Sequence, residues 1–173
     1  MKNARLLCVL GSLATAIGAH AALIPIAPFA SPRLENFDAI APGAYPGGAI
    51  MGGYATAVRL PAAGAFLVGM PALPAWSGPN ALYGNACNLA VNLSANRNAF
   101  GGYFRVPAGS PVTGMKFVFK NSLGAVVGMV NRPIGVGGWV WWGFNSTIAF
   151  RRVEIYGNGP VAGFVGMDDI RVN

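Results

Sequence analysis

The sequence is poor in the residues that carry most enzyme chemistry. It has one histidine, His20, two cysteines, Cys8 and Cys87, and five acids, Glu35, Asp38, Glu154, Asp168 and Asp169. Charged residues make up only 10 % of the chain. Beyond the N-terminal region there is no long stretch with apolar spacing of three and four that is free of Gly and Pro. The first scarcity limits catalysis, and the last argues against helix.

The N-terminus reduces the inventory further. Lys2 and Arg5 precede an apolar run from Leu6 to Gly18, and Ala19-His20-Ala21 follows. A basic start, an apolar middle and an A-x-A site read as a cleavable export signal, residues 1–21, cut after Ala21. The apolar run is shorter than the roughly 20 residues of a membrane-spanning helix. The mature chain then has no histidine and one cysteine, and its net charge is two less than the +7 of the full sequence. A Ser-His-Asp or Cys-His arrangement cannot be built from it, nor a histidine-ligated zinc centre. Cys87 alone cannot form an intrachain disulfide; it reads as a buried thiol on a strand, with a bridge between chains as the alternative.

What is abundant is apolar and turn-forming residue types: 54 % hydrophobic, 25 glycines and 13 prolines. Low charge with this much apolar surface is the opposite of a disordered composition. Short apolar runs broken by turn residues imply an all-β sandwich or barrel. Residues 22–33 hold Pro25, Pro28 and Pro32 and read as an extended lead-in. Expected strands in a single domain over 34–173 are Leu34–Asp38, Gly48–Leu60 with a bend at Gly52-Gly53, Ala65–Val68, Cys87–Leu93, Phe100–Val106, Thr113–Lys120, Ala125–Val130, Gly138–Phe144, Arg151–Tyr156 and Val165–Val172. Residues 69–85 read mostly as loop, Ser94–Asn98 as a hairpin connection and Asn121–Gly124 as a turn. Alternation places Met115, Phe117 and Phe119 on one face, and Val153 and Ile155 opposite to Arg152 and Glu154.

The order of several segments carries a resemblance. Glu35-Asn-Phe-Asp38 stands before Pro42-Gly-Ala-Tyr45. Asn88-Leu-Ala-Val-Asn-Leu93 precedes Ala99-Phe-Gly-Gly-Tyr-Phe104. Trp141-Trp-Gly-Phe-Asn-Ser146 precedes Phe150-Arg-Arg-Val-Glu-Ile-Tyr-Gly157, and Gly166-Met-Asp-Asp-Ile-Arg-Val172 follows. Together these resemble a family of exported bacterial jelly-roll sandwiches, many of which carry a PEP-CTERM sorting tail. The resemblance implies an antiparallel two-sheet β-sandwich of jelly-roll type, distantly like carbohydrate-binding modules. It also implies a structural Ca²⁺ shared by an acid near the first strand and an aspartate in the last, here Glu35 and Asp168. No Pro-Glu-Pro tail follows the closing strand, so secretion or periplasmic residence is expected rather than envelope sorting.

Candidate ligand residues are aromatic. Trp139 and Trp141 are two apart and share a strand face, roughly 7 Å apart, while Trp142 points the other way. Exposed, the pair would stack on sugar rings; buried, it is core. Tyr103 and Trp76 carry the same two readings. Asp168 and Asp169 are neighbours and should face opposite sides of a strand, so they are not a facing glycosidase pair, whereas Glu35 with Asp168 could be. The alternative is that the two aspartates cap a turn or pair with Arg171 or Arg33. The bases are scattered, unlike the clustered face of a nucleic-acid reader, though their surplus suits an anionic polysaccharide or envelope surface. The expectation is a non-catalytic binding module, with a self-associating matrix protein as the main rival and a carboxylate-dependent glycosidase as the third.

Overall fold

The computed structural model describes residues 21–46, 49–59, 66–69, 75–84, 88–158 and 165–173. Residues 1–20 of the expected signal segment, 1–21, and Cys87 lie outside the described residues.

Two strands are long enough to serve two layers. β8 (Asn88–Arg105) and β11 (Trp139–Asn158) pair antiparallel from Trp139 opposite Arg105 to Tyr156 opposite Asn88. Their register shifts between Asn145 and Arg152, where both strands pass from one sheet into the other. In the first sheet, β10 (Val126–Pro133), β9 (Gly114–Lys120), the second half of β11, the first half of β8, β5 (Ala55–Arg59) and β4 (Ala49–Met51) lie side by side. In the second, β1 (Leu23–Pro25), the first half of β11, the second half of β8, β12 (Val165–Val172), β7 (Leu82–Gly84), β6 (Phe66–Val68) and β3 (Gly43–Tyr45) do the same. β2 (Leu34–Glu35) pairs with the end of β12. The result is an antiparallel two-sheet sandwich of jelly-roll type.

Alternation fills the space between the sheets. Met115, Phe117 and Phe119 of β9 face Val153 and Ile155 of β11, and all five are fully buried. Phe100, Phe104, Phe144 and Phe150 come from the two long strands. The phenylalanines meet mostly edge to face, with centroids 4.9 Å apart for Phe119–Phe150 and 5.1 Å for Phe104–Phe117, the geometry that aromatic quadrupoles favour. Trp142 also packs against this core, with the Arg132 guanidinium 5.5 Å over its ring.

Three sequence expectations change. Ser94–Asn98 is not a hairpin connection but the middle of β8. Its polar residues lie where the strand crosses between sheets, and the Asn98 and Ala99 N–H groups donate to the Asn173 carbonyl there. Residues 69–85 are not all loop, because Leu82–Gly84 forms β7 between β6 and β12. The proline-rich lead-in forms an edge strand, with Pro25 at its end opposite Phe144, a position that needs no inward N–H.

The rest of the lead-in is a strap over the outer face of the second sheet. Ile26 N–H donates to Gly143 O, Ser31 Oγ donates to Val172 O, and β2 begins beyond. Beneath the strap Trp141 lies flat on two glycines. A Cβ at Gly101 or Gly143 would sit 2.6 or 2.7 Å from the Trp141 indole. Gly143→Ala should therefore lower stability by about 1–3 kcal/mol through overpacking, read as a lower urea midpoint with an unchanged slope.

Candidate functional site

The outer face of the second sheet gathers the aromatic residues. Trp139 stands opposite Arg105, Trp141 opposite Tyr103, and Gly143 opposite Gly101. Side chains directly opposite share a face, so Trp139, Trp141, Tyr103 and Arg105 all point outward. Asp168 of β12 is also opposite Tyr103 and joins them. The two tryptophans thus share a face as their spacing predicts.

They are not equally available. Trp141 is half-buried. Its indole N–H donates to Ile26 O at 2.9 Å, the Phe29 ring meets it edge-on at 6.0 Å, and the Arg171 guanidinium lies 5.6 Å over it. Arg171 in turn donates to Phe29 O at 2.7 Å. Trp141 thus clamps the strap to the sheet. Trp139 is half-buried beside Tyr83, centroids 6.3 Å apart, and its buried indole N–H has no partner among the described residues. Burial pushes the Tyr83 hydroxyl up to about 12, against the pull of the Arg105 side chain that hydrogen-bonds it.

The open plate is Trp76, 47 % exposed. Its ring stacks on Tyr103 with centroids 4.0 Å apart and 18° between planes, and Tyr103 meets Trp141 edge-on at 5.3 Å. Trp76 sits on an irregular segment that sequence patterning leaves as loop, and nothing local marks it above the Trp139/Trp141 pair.

The loop is held by acids. Asp168 Oδ2 accepts the Trp76 and Ser77 N–H groups at 2.9 and 3.0 Å, and Oδ1 accepts the Asp169 N–H at 2.7 Å. Asp169 Oδ1 accepts the Ser77 hydroxyl at 2.7 Å. Asp38 Oδ1 accepts the Asn80 N–H at 3.2 Å at the other end of the loop. Alternation predicts opposite sides for Asp168 and Asp169, yet both reach Ser77. The cause is a bulge: Asp169 has φ of 47° and the β12–β8 register shifts between Asp168 and Arg171. Asp169 also pairs with Arg171 at 3.5 Å.

Asp168 is fully buried, and burial pushes its carboxyl up to about 7. Its three N–H donors favour the ionised form and oppose that rise; the Asp169 charge adds to it. Glu35 lies elsewhere. It pairs with Ile170, whose side chain is in the core, and it accepts the Phe37 N–H at 2.6 Å. Burial raises its carboxyl as well, against hydrogen bonds from the Phe37 and Gly52 backbone.

The bulge sets Glu35 and Asp168 on opposite faces of β12. The Asp168 oxygens meet the positive ends of three N–H dipoles, which hold the carboxylate in place. Among the described residues no three His, Cys, Asp or Glu side chains gather as metal ligands, and no helix there is long and apolar enough to cross a membrane.

No family model matches the sequence, and no curated protein matches it. Among solved structures, the chain is similar to the K2 cleaved adhesin domain of Lys-gingipain, with a TM-score of 0.59, 14 % identity, and coverage of 81 % of this chain and 98 % of that one. It is also similar to the C-terminal family 22 carbohydrate-binding module of Clostridium thermocellum Xyn10B, with a TM-score of 0.48, 17 % identity, and coverage of 84 % and 97 %. A non-crystalline-cellulose-specific module of family 28 gives 0.48 at 14 % identity, covering 87 % and 99 %. At 14 % identity the likeness to the adhesin domain is one of fold.

Two outcomes follow from the acids. Replacing calcium with EGTA should leave the thermal midpoint unchanged, and a fall on chelation would point to a structural Ca²⁺. The second concerns Asp168, whose folded value near 7 exceeds its ordinary 3.8. Its contribution to stability is full below the ordinary value, falls as pH rises through the window between the two, and is level above it. Urea unfolding of wild type and Asp168→Asn at about pH 5 and about pH 8 should show a larger decline in the wild type than in the variant, which keeps the smaller contribution of the raised Glu35.

Proposed function

We propose that the mature protein is an exported, non-catalytic glycan-binding module that stacks a sugar ring on Trp76. The observation that carries this reading is the presentation of Trp76: one face rests on Tyr103, the other is open, and a buried acid fixes its backbone. A rigid, half-exposed indole loses little conformational freedom when a pyranose lands on it, and such pre-organisation raises affinity. Trp139 and the Trp141 clamp extend the apolar floor beside it.

The acid inventory supports a non-enzymatic reading. Glu35, Asp38, Asp168 and Asp169 each accept backbone or side-chain donors that order loops, and Glu154 is engaged on the other sheet. A glycosidase needs two carboxyl groups facing across a substrate, and the Glu35/Asp168 pair is divided by the sheet. Self-association is the rival. Its observation is edge strand β10, where Met129 is 61 % and Val126 38 % exposed, with Leu123 at 90 % in the adjoining turn.

Affinity electrophoresis through gels containing neutral xylan, β-glucan or galactan should retard the wild type in at least one. Trp76→Ala should weaken that retention by about tenfold or more while lowering stability by about 0.5–1.5 kcal/mol through loss of the stacking on Tyr103. Free migration of the wild type in every gel, with scattering that grows with concentration, would replace this reading with the rival.

A further inference from the structure

The opposite outer face, on the first sheet, carries a different surface. Cross-strand pairing lines up Lys120, Arg152 and Asn92 there, with Glu154 beside them. Where β8 and β11 leave this sheet, Asn92, Leu93, Asn121, Ser122, Gly124, Arg151 and Arg152 line an open groove of about 340 Å³. Asn121 to Gly124 is the turn between β9 and β10, and Gly124 N–H donates to Asn121 O at 3.0 Å.

The groove is a one-sided set of hydrogen-bond groups. Asn121 Oδ1 already accepts the Leu123 and Ala125 N–H groups, both at 3.0 Å. Asn92 Oδ1 already accepts Arg152 Nη1 at 2.9 Å. Each amide therefore has its acceptor engaged and its NH₂ left over. Arg152 uses Nε on Glu154 at 2.8 Å, and Arg151 uses Nε and Nη2 on the Leu93 and Ser94 carbonyls at 3.2 and 3.1 Å. Nη2 of Arg152 and Nη1 of Arg151 have no partner among the described residues. The Ser122 hydroxyl is likewise unengaged.

Charge points the same way. Glu154 is 4 % exposed and receives Lys120 at 2.9 Å, Arg152 at 2.8 Å and the Tyr156 hydroxyl at 2.7 Å. One enclosed acid stands against Lys120, Arg151 and Arg152, so the groove keeps a positive surplus. Fixed donors without acceptors, in a positive field, suit a ligand made of acceptors.

We propose that this groove binds an oxyanion carried on a polysaccharide, the carboxylate of a uronic acid or a sulfate ester. It is a second site, on the sheet opposite Trp76, and it stands independently of that plate. The two guanidinium groups clamp the oxyanion while the amide NH₂ groups of Asn92 and Asn121 and the Ser122 hydroxyl complete its contacts.

Two conservative changes test it without disturbing the turn or the strand pair. Asn121→Asp and Asn92→Asp each keep the engaged acceptor and exchange the outward NH₂ for a carboxylate oxygen. Affinity electrophoresis at low ionic strength uses polygalacturonate, dextran sulfate and neutral dextran. The wild type should be retarded by a polyanion and not by dextran, and the polyanion that retards it identifies carboxylate or sulfate as the group bound. Each Asp variant should weaken that retention about tenfold. Ala108→Asp, the same charge change in an exposed turn elsewhere, should leave it intact. Trp76→Ala should also leave it intact, so failure of the first site does not count against the second. The proposal is overturned if neither polyanion retards the wild type, if both Asp variants migrate as wild type does, or if Ala108→Asp weakens retention as much as they do.

Discussion

Everything in this fold hangs on the pairing of β8 with β11. Each strand belongs to both sheets, so their shared ladder sets the position of one layer relative to the other. The six phenylalanines packed edge to face are contributed largely by these two strands and by β9. The same ladder decides what each outer face presents. Its Trp139–Asn145 half carries aromatic residues outward, and its Arg152–Tyr156 half carries charge.

The few acids are placed by the same economy of structure. Burying a carboxylate is unfavourable unless donors surround it. Four of the five order loops around the second sheet: N–H groups meet Glu35, Asp38 and Asp168, and the Ser77 hydroxyl and Arg171 meet Asp169. The fifth, Glu154, joins two bases and a tyrosine on the first sheet. The bases outnumber the acids, and with the acids engaged internally the surplus positive charge is left to the surface.

Local chemistry was legible wherever one face met water and the other the core. The alternation of β9 and of the second half of β11, the turn at Asn121–Gly124 and the shared face of Trp139 and Trp141 all follow from side-chain period and turn-residue preference. That the one histidine of the sequence is His20, ahead of every strand, is a fact of composition.

Other features depend on partners distant in sequence. Ser94–Asn98 has the polar composition of a turn, yet it continues as a strand because β11 and the C-terminal residue Asn173 supply its hydrogen bonds. The bulge at Asp169 reverses the alternation that would set Asp168 and Asp169 apart and divides Asp168 from Glu35, and no local signal announces a positive φ at an aspartate. Trp141 becomes a clamp because the lead-in crosses over it, and Trp76 becomes the open plate because Asp168, far along the chain, holds its backbone. Alternation, turns and charge are properties of neighbours along the chain, and the order of residues was enough to assign them. Which aromatic faces stay open, and which donors stay unpaired among the described residues, follows from long-range packing, which covers some groups and engages others.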